Sequence, residues 1–245
     1  MIEPAPSYPD VLRFPEPPAV SFPGFSGQAF AVLKEIKAAP HIDTYRAHKA
    51  TIKADIKDPF KVFRDYLVVN WVLPNRLPLE TERNVFSRLL KNDFGAGGCH
   101  HHLWLSFYRT GRKRLRDIQL DFKLRDAGFS VSLYIGDNAP ELLKIIRTRM
   151  AAVSAVWLPY TQELLARGGW SFHIRPHNGS RDEVMTFTDA IDAMPDELER
   201  ARGVWWQTRF SEKDIAGQGR DLVRRSLAAV DQLWPLYSEF LSSTD

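Results

Sequence analysis

His102, Trp104, Asp121, Lys123 and Tyr134 are the residues of this 245-residue chain whose types and spacing could do chemistry together. An acid, a base, a cation and two aromatic rings within reach of one another can hold a charged ligand. Paired with a divalent ion, the same acid and cation could cut a phosphodiester. Close by in sequence, Arg112, Lys113 and Arg114 belong to the densest basic cluster of the chain, with Arg109 and Arg116 on either side. Phosphate contact is the chemistry such a cluster supports. The plainer alternatives are the wet side of a half-covered sheet for the first group and a solvated turn for the second.

What would bring these residues together is a run of three strands from Cys99 to Gly136. Leu103, Leu105 and Phe107 alternate with His102, Trp104, Ser106 and Tyr108. Ile118, Leu120, Phe122 and Leu124 alternate with Gln119, Asp121 and Lys123, and Phe129, Val131, Leu133 and Ile135 with Ser130, Ser132 and Tyr134. Period-two alternation of this kind predicts strands with one core face and one polar face. Thr110–Lys113 and Arg125–Gly128 each carry a glycine suited to a hairpin turn, which makes the three an antiparallel meander. A tight first turn would set Asp121 opposite His102 or Trp104.

Around the meander, helical spacing predicts a helix capped by Ser26 and ending before Pro40, and a second from Asp43 toward Asp58. A third begins at Pro59, with Phe60, Phe63, Tyr66 and Leu67 inward. Further helices are predicted over Glu80–Lys91, Asp137–Tyr160 and Asp221–Leu241, and strands over Trp170–Arg175 and Val204–Phe210. Ser211 to Asp214 opens a short helix, and residues 179–202 read as a polar loop with short helical pieces. Residues 1–23 are rich in proline, which withholds backbone donors and favours an extended arm that lies along the surface or is mobile. The sequence therefore predicts an arm over 1–23 and a single α+β domain over 24–245, in which helices pack on one face of a mainly antiparallel sheet.

Several chemistries are disfavoured by the spacing. In Cys99-His100-His101-His102, consecutive strand residues alternate faces, so at most two could grip one ion. Asp93, Asp121, His173 and His177 sit at no spacing diagnostic of zinc, and no metal ligand is assigned. The glycine-rich Asp93–Gly98 loop lacks the Lys-Ser/Thr ending of a phosphate-cradling loop, and no Gly-x-Ser-x-Gly elbow occurs. Asp121-Phe122-Lys123 has the acid-x-Lys form of restriction-endonuclease-like sites but falls on the second strand of the meander rather than the third. That third strand offers only Ser130, Ser132 and Tyr134. A net charge of +3 and a pI near 9.0 lean weakly toward anionic partners. One cysteine, no signal-like start and no apolar window of spanning length point to a cytoplasmic protein without membrane attachment.

Phe22-Pro23-Gly24-Phe25 before Phe30–Leu33, Tyr45 with His48-Lys49, Pro59-Phe60, Arg83 with Phe86-Ser87, and the closing Pro235-Leu236 with Phe240-Leu241 form an ordered motif set. In these motifs residues 22–241 resemble the bacterial domain-of-unknown-function family 2461. The resemblance implies an α+β fold and no activity. The functional expectation is a binding module whose polar sheet face and basic hairpin tip recognise an anionic ligand such as nucleic acid or a nucleotide. The alternative is a metal-dependent hydrolase or nuclease using the His102, Asp121 and Lys123 face. No motif names a cofactor or an oligomeric state.

Overall fold

The computed structural model describes residues 12–14, 21–178, 183–191 and 193–241. The chain begins with α1 (Gly27–Ala38), where the Ser26 hydroxyl accepts from the Ala29 N–H at 3.2 Å, and continues into a helical run from Ile42 to Val72. That run comprises α2 (Ile42–Ala47), α3 (Lys49–Thr51), a π-helical turn over Ile52–Lys57, α4 (Asp58–Leu67) and a second π-helical turn over Val68–Val72. Pro59 does not break it. Its missing N–H is absorbed by the wide turn before it, in which the Asp58 N–H reaches back five residues to the Lys53 carbonyl. Phe60, Phe63, Tyr66 and Leu67 are buried as their spacing predicts.

Next come β1 (Leu79–Glu80), β2 (His102–Arg109), β3 (Gln119–Arg125) and β4 (Gly128–Ile135). After these follow α5 (Pro140–Ala152), α6 (Ser154–Ala166), β5 (Trp170–Arg175), β6 (Met185–Phe187), β7 (Gly203–Ser211), α7 (Glu212–Ile215) and α8 (Gly219–Leu241). The seven strands pair antiparallel in the order β1-β2-β3-β4-β7-β5-β6, which with the helices makes the fold α+β. The three-strand meander is its centre. One face carries Leu105, Phe107, Phe122, Phe129, Val131, Leu133 and Trp206, all buried. Helices cover this face with aromatic rings: Phe63 lies edge-on 5.6 Å from Phe122 and 5.3 Å from Phe129, Trp71 edge-on 5.5 Å from Phe107, and Phe240 stacks on Trp206 at 5.6 Å.

Three sequence expectations are corrected. Residues 80–91 form no helix. Phe86 and Leu90 instead bridge Leu105 and Cys99, and the Ser87 and Ser106 N–H groups bond to the Trp104 and Val85 carbonyls at 2.8 Å. The segment thus covers the open edge of β2. An unpaired strand edge outweighs the helical propensity of the segment. The predicted helix 137–160 is two helices broken at Val153, and Pro159 lies inside the second. Between β2 and β3 the turn is long rather than tight, since it includes a 3-10 turn over Arg114–Arg116. Asp121 therefore pairs with Ser106, and Trp104 with Lys123. The slip is an even number of residues, so every side chain keeps its predicted face. Most of the N-terminal arm lies outside the described residues, but Leu12 is buried, and the Arg13 N–H and carbonyl bond to the Asn75 side chain at 2.6 and 2.7 Å. That part of the arm is docked.

Gly128 opens β4 with φ +143°, and a Cβ there would collide with the Phe210 carbonyl on β7. Gly128→Ala is expected to cost about 3 kcal/mol of unfolding free energy, read by chemical denaturation, because strain and the collision act together.

Candidate functional site

The other face of the sheet is polar and concave. Register places Gln119, Asp121, Lys123 and Arg125 of β3 beside Tyr134, Ser132, Ser130 and Gly128 of β4. These in turn lie beside Trp205, Gln207, Arg209 and Ser211 of β7. Because β4 contributes small residues between taller neighbours, the face is hollowed along that strand. A cleft of about 320 Å³ results, lined among others by Trp104, Asp121, Lys123, Arg125, Gln207 and Arg209.

Asp121 is buried at the floor and accepts a hydrogen bond from the Ser106 hydroxyl. Burial pushes its pKa up to about 6, against the pull of Lys123, Ser106 and Arg114. Burial also draws Lys123 down to about 8, opposed by Asp121 and reinforced by Arg125, Arg209 and Arg175. Arg175 is held by Asp137 at 3.3 Å and lies 5.3 Å from the Trp205 ring, while Arg209 Nε donates to Gln207 Oε1 at 2.7 Å. Lys123, Arg125 and Arg209 form no ion pair with any described residue. Asp121 is the single carboxylate lining the cleft among the described residues.

The predicted site residues divide. Trp104, Asp121, Lys123 and Tyr134 line this cleft together. His102 lies beyond it, paired with Arg125 and clustered with His100 and His101 at ring distances of 5.1 and 5.5 Å, its Nδ1 buried without a partner. Burial, then Lys123 and Arg125, bring its pKa down to about 3, so this ring is a neutral one. Arg114 folds back over the Trp104 ring at 4.4 Å and donates to the Phe86 carbonyl at 2.6 Å. It is a bracket for the cleft wall rather than a free tip. Arg112 and Lys113 turn the other way and line a separate surface cleft of about 600 Å³ with Arg116, Asn138 and Pro140. Arg125, Arg209, Gln207 and Trp205 were missed. Alternation within Val204–Phe210 already sets Trp205, Gln207 and Arg209 on one side of their strand.

His173 supports the far wall. It is 4% exposed, stacks on Trp205 at 4.8 Å, and its two ring nitrogens meet the Ser171 and Thr186 hydroxyls at 2.8 and 2.9 Å. Burial, with Arg209 helping, lowers its pKa from 6.5 to about 4. A histidine with a depressed folded-state pKa stabilises above its unfolded value, and that stability is lost as pH falls from 6.5 through 4. Asp121, with a raised pKa, acts in the opposite direction between 3.8 and 6. His102 and His173 together outweigh Asp121. Stability is therefore expected to fall on acidification from pH 6.5 to 4, and His173→Gln is expected to remove about 2 kcal/mol of that fall in denaturation curves across this range.

Among the described residues no group of three or more His, Cys, Asp and Glu side chains is placed to hold a metal ion, and no helix is long and apolar enough to cross a membrane. A scan against protein-family models finds no match to this chain, and a search of curated proteins finds no similar one.

Proposed function

We propose that the cleft on the polar sheet face binds an anionic ligand of about mononucleotide size, such as a nucleotide or a segment of nucleic acid. One observation carries the reading: Lys123, Arg125 and Arg209 converge on a cleft whose lining, among the described residues, holds one carboxylate, and none of the three forms an ion pair with a described residue, Arg209 being held only by the neutral Gln207 side chain. Three cations sharing one carboxylate repel one another and pay part of their desolvation unaided. An anion entering the cleft relieves both costs. Tyr134 supplies a ring on which a base can stack, while Trp104 and Trp205 are already capped by Arg114 and by His173 with Arg175 and shape the walls. Asp121, Gln119 and Gln207 offer hydrogen-bonding groups for its edge.

Equilibrium binding of a labelled mononucleotide and a labelled short single strand, followed against salt, tests this. Affinity is expected to fall with salt at a log–log slope of about −0.7 for each phosphate held. Arg125→Gln is expected to remove about one such increment. Binding that ignores both salt and Arg125→Gln would contradict the proposal.

A further inference from the structure

We infer that the stretch of β4 around Ser130 is a phosphate subsite: it takes the phosphoryl group of a phosphomonoester between Lys123 and Arg209, with Arg125 closing one end. The inference rests on the proposed anion-binding role of the cleft and names the head group that the cleft is shaped for.

Register sets Lys123, Ser130 and Arg209 in one row across three adjacent strands, and Arg125 stands two residues from Lys123 on the same face. Strands spaced about 4.8 Å apart put the β3 and β7 side chains about 10 Å from each other at their bases. That gap admits a phosphoryl group with a hydrogen bond on each side. Ser130 is 2% exposed, and its hydroxyl has no partner among the described residues. A buried hydroxyl without a partner is costly, and a serine in mid-strand gains nothing there that alanine would not supply. Its neighbours on the two flanking strands are Lys123, which forms no ion pair with a described residue, and Arg209, whose Nε is held by the Gln207 side chain, and drawing those two chains onto a ligand would open the way to it.

The directions of the donors favour phosphate over carboxylate. Lys123 approaches from the β3 side, Arg209 from the β7 side, Arg125 along the strand and Ser130 from the floor. Four non-coplanar donors match three terminal oxygens on a tetrahedral centre. A planar carboxylate, with two oxygens, is better served by one guanidinium fork. Beyond Ser130 the trough continues over Ser132, between Asp121 and Gln207, so the body of the ester lies toward hydroxyl-binding groups.

Calorimetric titration of the full chain with inorganic phosphate, ribose 5-phosphate and succinate tests the assignment, with melting temperature measured alongside. Phosphate and ribose 5-phosphate are expected to bind and to raise the melting temperature, the ester about tenfold more tightly, and succinate to do neither. The Lys123→Gln/Arg209→Gln double variant is expected to lose about thirtyfold or more in phosphate affinity while melting no lower than the unsubstituted protein without ligand, because it relieves charge repulsion. Ser130→Ala is expected to weaken phosphate about fivefold while leaving the unliganded melting temperature unchanged or raised, because it removes an unsatisfied buried hydroxyl. Undiminished phosphate binding in the double variant would overturn the subsite. Equal binding of succinate and phosphate, with Ser130→Ala silent, would overturn it while leaving the anion-binding role standing. Failure of all three anions to bind would overturn both.

Discussion

Arg109→Ala is expected to lower the unfolding free energy by about 3–5 kcal/mol. Arg109 and Asp117 are 8% and 0% exposed at their side chains. The carboxylate accepts from Arg109 Nη2 at 2.6 Å, from Nε at 3.0 Å and from the Arg109 backbone N–H at 3.0 Å. Removing the guanidinium strands a buried carboxylate, which costs far more than a surface pair is worth. Replacing both partners, as in Arg109→Met with Asp117→Leu, is expected to cost much less, because neither charge is then left alone. The pair also clamps the long β2–β3 connection, whose Arg114 braces Trp104 and whose Leu115 lines the cleft. Arg109→Ala is therefore expected to loosen the cleft wall as well as the fold. Chemical denaturation of the two variants measures the effect, and a loss below about 1 kcal/mol for Arg109→Ala would show that the connection is held by something else.

Arg125→Glu is expected to act in the opposite sense, abolishing ligand binding with little change in stability. Arg125 is half-buried and makes no hydrogen bond or ion pair with a described residue. Burial lowers its pKa and Arg209 adds to the effect, with Asp126 opposing. Reversing this charge removes a repulsion within the protein and creates one with any incoming anion. At an effective dielectric near 20 and a separation of about 6 Å, one unit charge contributes roughly 3 kcal/mol before screening. Anion affinity is expected to fall about a hundredfold, with unfolding free energy within about 0.5 kcal/mol of the parent. Fluorescence anisotropy of a labelled mononucleotide, paired with denaturation, reads both. Retained affinity would place the ligand elsewhere.

The contrast between these two arginines shows what a sequence of this kind discloses. Arg109 and Arg125 are both cations at strand ends, and it is the β2–β3 connection, folding Asp117 back onto Arg109, that makes one a buried strut and leaves the other an open donor. The meander itself was legible, because alternation over Leu103–Phe107, Leu120–Leu124 and Phe129–Ile135 is a local property. So was the buried face of α4. Trp104, Asp121, Lys123 and Tyr134 were placed together correctly, since a register slip by an even number of residues preserves faces. Residues 80–91 were misread as helix because their role is to satisfy the edge of a strand some twenty residues away. Arg209 and Gln207 were missed for a related reason. Their strand joins β4 across about seventy intervening residues, and nothing local to Val204–Phe210 states which neighbour it will have. The basic cluster was legible as a cluster but not as two, since Arg114 turns inward to Trp104 while Arg112 and Lys113 turn outward.

The central claim is that this hollow sheet face is where an anion binds, and amide chemical-shift mapping during titration with a mononucleotide tests it most directly. The expected result is a saturable set of shifts confined to Lys123 and Arg125 on β3, Ser130 and Ser132 on β4, and Gln207 and Arg209 on β7, reduced in parallel by added salt. Shifts centred instead on Arg112, Lys113 and Arg116, or no saturable shift on β3, β4 and β7, would contradict it.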